Sequence, residues 1–500
     1  MKIFFVMLAL ILTSMLTLAF NIQPVRSWTG TVYIRADGSI DPQGAPIITH
    51  DNITYTLTDN ITSSNDGIIV QKDDIVIDGV GFELSGTGNG IGVDLSDRIN
   101  VTVKNMTIEN FQIGIRLFNS QNNTIHRNSL TSNKFYGVCL ENSNNNCIIQ
   151  NDIEKNRCGI CFLNSKNNCI QTNNIIANNE SGVYLGSSSL NRIFKNNATN
   201  NLYAIFLEFS YNNTIFENNI VNNQYGIWVR QSNNNVFYHN NCIDNSDQFF
   251  DPNWEYPYGS SSVNVWDDGY PSGGNYWSNY AGVDYYNGLY QNETGSDGIG
   301  DSKFRINSGS GTPPELVQFD NYPLMGMFYD FEVVGLGNEI YHVEVISNST
   351  VSELNLAVWL SSPNEYLQPG QEFLQFYVEG ENDTSGFCRI TVPRALLNDS
   401  YIVLVDWTVV PAYQLDVSNS THAYLYFAYN HTRHEVIIIP EFTLTLLFLT
   451  ATLITITPLK AKNIKKQNLH ISTLKVPSNQ HINISFLLVS PNRKSVIEKI

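Results

Sequence analysis

Short stretches of alternating apolar and polar residues recur between residues 66 and 250 at a spacing of 22 or 23 residues. Segments such as 114–117 (Gly-Ile-Arg-Leu) and 123–125 (Asn-Thr-Ile) have the length and the period of β-strands. Small residues and asparagines recur between them in one common phase. The small residues are Gly114, Gly137, Gly159, Gly182, Ala204 and Gly226. The three asparagine series are Asn123, Asn146, Asn168, Asn191, Asn213, Asn235; Asn128, Asn151, Asn173, Asn196, Asn218, Asn240; and Asn133, Asn156, Asn178, Asn201, Asn223, Asn245.

A repeat of this length with about three short strands predicts an all-β, right-handed parallel β-helix. Its coils stack roughly 4.8 Å apart and bury Ile, Val, Leu and Phe in the interior. We expect the asparagines at the corners, where Asn tolerates left-handed backbone and its amide can bond along the axis. Leucine-rich and helical solenoids are excluded because the Leu framework and the 3.6-residue period are absent.

The segments that flank the repeat differ from it in composition. Residues 251–327 are rich in Trp, Tyr, Gly and Asp, which predicts a cap with long loops. The following alternation of apolar and polar residues predicts a β-sandwich of about seven strands. The predicted divisions are an N-terminal cap at 28–65, the β-helix at 66–250, a C-terminal cap at 251–327 and the sandwich at 328–440.

Both ends of the chain carry apolar runs. Lys2 and the run at 4–20 predict a secretory signal within residues 1–27. Residues 442–459 hold no charge and predict a transmembrane helix, with a buried strand pair as the alternative. Because four lysines follow between 460 and 466, we expect residues 460–500 in the cytoplasm and the domains before the helix outside the membrane.

Composition narrows the possible partners. The formal net charge is −18 although only 15% of the residues are charged, which argues against a nucleic-acid partner because phosphate would be repelled. Seven cysteines are too few, and odd in number, for a disulfide framework in an exported chain of this length. Frequent Asn-X-Ser/Thr sequons suit an exported glycoprotein.

Several local motifs resemble one known family. The Asn-Asn-Thr-Ile coils resemble those of the NosD-like periplasmic copper-binding family and its archaeal surface-protein relatives. Further matching segments are 55–60, 74–81, 274–277, 297–301, 320–323 and 439–442. The resemblance implies a pectin-lyase-like β-helix of the carbohydrate-binding and sugar-hydrolysis type, and it supports this fold better than any activity.

The family name implies copper, and the residues disfavour it. Copper sites group His, Met or Cys at short spacing, whereas His126 and His239 are the histidines of the coils and lie far apart in sequence. Two cysteine pairs have the coil spacing and are expected to stack in neighbouring coils, where they form either a soft thiolate site or small apolar strand positions. These pairs are Cys139 with Cys161 and Cys147 with Cys169.

A hydrolase or lyase on this fold requires carboxylates that converge on one groove. The coils supply few acids, and none recurs on one strand face. Asp244, Asp247 and Asp251, which cluster in sequence at the last coil, are the acid–base candidates. In the cap, Asp297 and Asp301 lie in a Gly-rich stretch and are candidate Ca²⁺ ligands, with a plain turn as the alternative.

Aromatic residues indicate a binding surface. Alternation directs outward the residue two positions after each small residue, and this series ends in Tyr184, Phe206 and Trp228. A second outward series ends in Phe194, Phe216 and Tyr238. Aromatic rings spaced along a sheet suit stacking on pyranose faces, while asparagine amides can bond sugar hydroxyls. The alternative is that a loop, the cap or the sandwich covers these rings.

These observations favour a non-enzymatic cell-surface protein that binds polysaccharide or an envelope glycoprotein. Two other classes stay open. One is an extracellular carbohydrate-active enzyme, either a glycoside hydrolase or a polysaccharide lyase. The other is a copper-handling protein of the NosD type.

Overall fold

The computed structural model describes residues 28–252, 262–306, 317–398 and 400–440. Three sheets, built from strands stacked coil upon coil, enclose the N-terminal core. The first sheet contains Trp28–Thr29, Ile61–Thr62, Glu83–Ser85, Thr107–Glu109, Ser129–Thr131, Asp152–Glu154, Asn174–Ile176, Asn197–Thr199, Asn219–Val221, Asn241–Ile243 and Tyr276–Trp277. The second contains Ile40–Asp41, Val32–Ile34, Ile68–Val70, Ile91–Asp94, Ile113–Phe118, Tyr136–Glu141, Cys158–Leu163, Ser181–Gly186, Tyr203–Glu208, Tyr225–Arg230 and Asp247–Phe250. The third contains Ile47–Ile48, Thr54–Leu57, Ile75–Asp78, Val101–Lys104, Thr124–His126, Cys147–Ile149, Cys169–Gln171, Arg192–Phe194, Thr214–Phe216 and Val236–Tyr238.

Parallel pairing of equivalent positions confirms the predicted parallel β-helix. Ile125 pairs with Ile148, which in turn pairs with Ile170, and all three side chains are buried. The small-residue series is needed because neighbouring coils approach closely there. A Cβ added at Gly159 would lie 2.6 Å from the carbonyl oxygen of Gly182.

The segment predicted as an N-terminal cap already forms part of the coils. Trp28–Thr29 and Thr54–Leu57 pair in parallel with strands of the following coils. Two short antiparallel strands, Ile40–Asp41 and Ile47–Ile48, occupy the ends of the second and third sheets. The outermost edges of these two sheets are therefore held by antiparallel hairpin partners rather than by another coil.

The asparagine series form continuous hydrogen-bonded ladders along the axis. The Asn173 Oδ1 accepts from the backbone N–H and the Nδ2 of Asn151, both at 2.9 Å. The Asn173 Nδ2 donates to two carbonyl oxygens and to Asn196 Oδ1. A single side chain thus satisfies buried backbone groups and joins neighbouring coils.

The expectation that these ladder asparagines adopt left-handed backbone is wrong. The left-handed residue at each of these corners is the one before, as at Gln150 (φ 55°) before Asn151 and Thr172 (φ 56°) before Asn173. The left-handed residue turns the chain, and the following asparagine can then direct its amide inward. This division of roles leaves the left-handed positions open to side chains of any chemistry.

A fourth ladder, of serines, was not predicted from the sequence although it has the same spacing as far as Ser232. From Ser143 onward, each hydroxyl accepts from the backbone N–H of the serine one coil earlier, as Ser188 Oγ does from Ser165 N at 3.0 Å. Its members are Ser120, Ser143, Ser165, Ser188, Ser210, Ser232 and Ser262.

Residues of the predicted C-terminal cap continue the ladders and then end them. Asn275 accepts from Asn240 and donates to Asp320 Oδ2, which also accepts from the Asn275 backbone at 2.7 Å and from Trp277 Nε1 at 2.9 Å. The Ser262 N–H donates to Asp251 Oδ2 at 2.9 Å. Each of these two ladders therefore ends at the side-chain oxygen of a buried aspartate, which accepts the last hydrogen bonds at the end of the solenoid.

Two five-stranded antiparallel sheets follow, here called the sheet pair, and their inner side chains share one core. One sheet has the order Met327–Val334, Ile340–Ser347, Ser385–Pro393, His422–Asn430, Ala412–Gln414. The other has the order Thr350–Val358, Glu372–Glu379, Arg433–Pro440, Tyr401–Val405, Thr408–Val410. About seven strands were predicted, and the excess includes the edge strands of three residues, which are too short to show a period. Two small hairpins in the cap pair Tyr286–Asn287 with Glu293–Thr294 and Phe304–Arg305 with Phe319–Asp320.

The predicted signal at 1–27, the transmembrane helix at 442–459 and the tail at 460–500 lie outside the described residues. In the part of the chain that the structure describes, no helix is long and apolar enough to cross a membrane.

Candidate functional site

Six aromatic side chains form a continuous patch on the outer side of the second sheet, here called the aromatic face. Ring contacts join them, at 5.1 Å between Tyr184 and Phe206, 6.0 Å between Phe206 and Trp228, and 4.4 Å between Trp228 and Phe250. All are half-buried. The members are Tyr184, Tyr203, Phe206, Tyr225, Trp228 and Phe250.

Parallel pairing places this patch, as predicted, in rows that cross the coils. Tyr184 pairs with Phe206, and Phe206 pairs with Trp228. The adjacent row of Tyr203 and Tyr225, whose rings stack at 5.4 Å, was not predicted. Their coil spacing, one residue before each small residue, is the signal that could have identified them.

A polar rim borders the aromatic face. The Tyr184 hydroxyl donates to Glu208 Oε2 at 2.6 Å, and Arg230 donates to Glu208 Oε1 at 2.9 Å. Burial and the neighbouring Glu208 raise the pKa of Tyr184, so the hydroxyl stays protonated at neutral pH. The rim therefore presents both donors and acceptors beside the rings.

The second predicted series also forms a column, on the third sheet. Phe194 and Phe216 stack at 4.8 Å, and Phe216 and Tyr238 stack at 5.2 Å. The Arg192 guanidinium lies over the first two rings, and Phe216 is buried. This column is consequently less open to a ligand than the aromatic face.

The ladder asparagines cannot contribute the amide face that the sequence suggested. They are buried, and their amides bond to one another and to the backbone, as at Asn196 and Asn218. Since the stacking of the coils uses these groups, they are not available to a sugar hydroxyl.

The three acid–base candidates occupy different environments. Asp244 and Asp247 are exposed, and Asp247 lies beside Tyr225 in the same row of the second sheet. Asp251 is fully buried, where it terminates the serine ladder through Ser262. Asp251 therefore has a structural role, whereas Asp244 and Asp247 are accessible to solvent.

Asp297 and Asp301 hold loops of the cap together. Asp297 accepts from Ile299 N at 3.0 Å and Gln291 Nε2 at 3.1 Å, and Asp301 accepts from Tyr285 N and Tyr286 N. Within the described ranges, no group of three or more His, Cys, Asp or Glu side chains is placed to hold a metal ion. Asp297 and Asp301 are therefore not part of such a group among the described residues.

A charged cluster lies where the solenoid meets the sheet pair. Lys195 and Glu217 are consecutive left-handed corner residues, and His239 follows them in the next coil. Lys195 Nζ lies 2.6 Å from Asp330 Oδ2 and 3.7 Å from Glu217 Oε2. The His239 ring stacks on Phe328 at 3.8 Å. The repeat spacing does not reveal this cluster, because Asp330 is 135 residues from Lys195.

Glu217 should make the stability of the protein depend on pH. Burial, reinforced by Asp330, raises its pKa from 4.5 to about 7. Between these two pKa values, the folded state keeps a proton on Glu217 that the unfolded state has released. The stabilisation that comes from this proton is complete below pH 4.5 and is lost as the pH rises through about 7. The free energy of unfolding of the wild type should decrease between pH 5 and pH 8. We expect this decrease to be smaller in Glu217→Gln by on the order of 1–2 kcal/mol. Urea titrations at several pH values measure the free energy of unfolding of the wild type and the variant. An equal fall of this free energy with pH in both proteins would contradict the prediction.

The two cysteine pairs stack as predicted. Cys139 pairs with Cys161, and Cys147 pairs with Cys169. All are free thiols, and Cys139, Cys161 and Cys158 pack with Tyr136 and other apolar neighbours. Hydrogen bonding to Cys161 and burial raise the pKa of Cys139, which disfavours the thiolate that soft metals bind. The hydrogen bond with Cys169 instead lowers the pKa of Cys147 to about 7.

Comparison with known families tests the resemblance found in the sequence. Residues 60–282 match the NosD family. Its description is periplasmic copper-binding protein (NosD). The predicted resemblance is confirmed over the coils and the start of the cap. No curated protein matches the chain.

The solved structures that this chain resembles are distant from it in sequence. The periplasmic alginate epimerase AlgG is 16% identical, with 47% of this chain and 76% of that chain covered and a TM-score of 0.33. The Dettilon tailspike protein is 12% identical, with coverage of 82% and 85% and a TM-score of 0.36. The A-module of the Azotobacter vinelandii mannuronan C-5 epimerase AlgE4 is 13% identical, with coverage of 43% and 73% and a TM-score of 0.30.

The residues of this chain do not fit the copper of the NosD description. His126 Nε2 lies 2.9 Å from Gln150 Oε1, and the His239 ring is buried against Phe328 with Nε2 at 3.0 Å from a carbonyl oxygen. Among the described residues, no group of three His, Cys, Asp or Glu side chains is placed to hold a copper ion. We therefore derive no copper chemistry from this structure.

Proposed function

We propose that this protein binds polysaccharide, or the glycan of an envelope glycoprotein, through the aromatic face. The observation that carries the proposal is the six-ring patch on the second sheet, in which every ring is half-buried by its neighbours and still partly open. Rings held on a regular sheet present apolar faces that suit stacking on pyranose rings. The bordering Glu208 and Arg230 supply groups for sugar hydroxyls.

The geometry favours binding over catalysis at this surface. The carboxylate of Glu208 is already engaged by Tyr184 and Arg230, and that of Glu180 by Arg157. The exposed Asp247 pairs in register with Tyr225. General acid–base cleavage of a glycosidic bond uses two carboxylates with separate roles. We infer that the aromatic face holds a glycan without cleaving it.

The proposal extends to the location of the protein. The NosD family is described as periplasmic, and the sequence predicts a signal and a C-terminal anchor. We propose that the β-helix and the sheet pair lie outside the cytoplasmic membrane, where envelope polysaccharides are accessible.

Trp228→Ala should weaken glycan binding roughly 10- to 30-fold, because a central aromatic residue of an interface costs about 2 kcal/mol when truncated. Trp228 contacts four rings of the patch, including Tyr203 at 4.8 Å. A glycan array followed by affinity electrophoresis with the retained polysaccharide measures the effect. Tyr413→Ala, which removes an exposed tyrosine from the sheet pair, is the matched control.

Two outcomes would contradict the proposal. Retention that is unchanged by Trp228→Ala and Tyr203→Ala would show that the aromatic face is not the binding surface. New reducing ends in the polysaccharide, abolished by Asp247→Asn or Asp244→Asn, would show an enzyme instead of a binding protein.

A further inference from the structure

A cavity of about 420 Å³ lies between the solenoid and the first strand of the sheet pair. The solenoid contributes the corner residues Lys195 and Glu217 and side chains of the first sheet, and the sheet pair contributes residues 327–331. This volume lies within the range of small-molecule pockets, roughly 300–1,000 Å³. The cavity is separate from the aromatic face, which is on the second sheet.

Two carboxylate residues that line this cavity, Asp330 and Glu217, each have one buried oxygen without a hydrogen-bond donor among the described residues. The Asp330 side chain is 7% exposed; its Oδ2 contacts Lys195 and His342, whereas its Oδ1 has no partner. Glu217 Oε2 also has none, because Lys195 Nζ lies 3.7 Å away. A buried acceptor without a donor is unfavourable, so the site lacks the donors that would satisfy it.

The charges around the cavity are unbalanced. Lys195 is one ammonium shared by two carboxylates. Glu344, Glu332 and Asp268 add acidic groups nearby. The other basic groups are His342, in contact with Asp330, and Arg389, which acts on Glu344 from the neighbouring strand. A bound cation would therefore restore the balance, and a hydrogen-bond donor would satisfy the two free oxygens.

We propose that this cavity binds a small molecule through a primary ammonium group that pairs with the carboxylates of Asp330 and Glu217, whose unpartnered oxygens turn toward it. The other lining residues suit its organic body, since Phe328 and Val221 offer apolar surface and Asn197 an amide. An ammonium fits better than a metal ion because the described residues hold no metal-binding group of three. The ammonium is carried by an amino sugar or by an aliphatic diamine.

Titration calorimetry on the purified full chain tests the proposal, with glucosamine and putrescine as probes and glucose as the neutral control. We expect at least one amine to bind at pH 7 and glucose not to bind. The tighter of the two amines identifies the source of the ammonium. Putrescine stays protonated to about pH 10, so its affinity should rise between pH 5.5 and 8 as Glu217 ionises.

Glu217→Gln and Asp330→Asn should each weaken amine binding 10-fold or more. Glu217→Gln keeps the Lys195–Asp330 ion pair, so it tests the site even if Asp330→Asn loosens the junction. Glu154→Gln, on the first sheet and outside the cavity, should bind normally. Binding of glucose as tight as that of glucosamine, absence of amine binding, or displacement of the amine by stoichiometric calcium or copper would overturn the proposal.

Discussion

Asn173→Ala is expected to lower the free energy of unfolding by about 3–5 kcal/mol, because the alanine leaves several buried backbone and amide groups without partners. The Asn151 backbone N–H loses its acceptor, and the Ile148 carbonyl loses a donor. The amides of Asn151 and Asn196 also lose their contact with Asn173, so the ladder is broken in the middle of the solenoid.

Asn174→Ala is the matched control. Asn174 lies next in the chain, is exposed, and donates to Asp152 on the surface at 2.7 Å. We expect its loss to change stability by about 0.5 kcal/mol or less. Urea unfolding followed by circular dichroism compares the two variants. Equal stability of both variants would show that the ladders do not hold the coils together.

Asp320→Ala is expected to destabilise the protein by about 3–5 kcal/mol, because Asp320 terminates an asparagine ladder in a fully buried position. The change leaves the Asn275 N–H and the Trp277 indole N–H without their acceptor and opens a space beside Gly274. Water and denaturant would then reach the end of the core. Thermal unfolding and proteolysis within the cap report this loss.

Asp320→Asn separates hydrogen bonding from charge. Burial raises the pKa of Asp320 to about 7, so the carboxyl is partly protonated in neutral solution. An amide keeps one oxygen as acceptor and fills the same space, and we expect it to retain more stability than alanine. Asp416→Ala, at an exposed site of the sheet pair, should be silent. A cap that tolerates Asp320→Ala as well as Asp416→Ala would contradict the terminator role.

Most of the solenoid could be predicted from the sequence because in a stack of coils the residue spacing is the contact pattern itself. Positions 22 or 23 apart pair directly, so the spacing alone makes Cys147 a neighbour of Cys169 and Phe206 a neighbour of Trp228. The serine ladder and the row of Tyr203 and Tyr225 have the same spacing. Neither was predicted, because the prediction rested on the asparagines and on the outward positions after each small residue.

By itself, the sequence determined the parallel β-helix, the register of its coils and the aromatic rows on its surface, since each depends on contacts one repeat apart. The tertiary structure decided which left-handed corners face the sheet pair and which cap residues end the ladders. Lys195 meets Asp330, and Asn275 meets Asp320, across separations that follow no period. Such contacts depend on how loops and domains pack, and this information is not contained in any repeating pattern of residues.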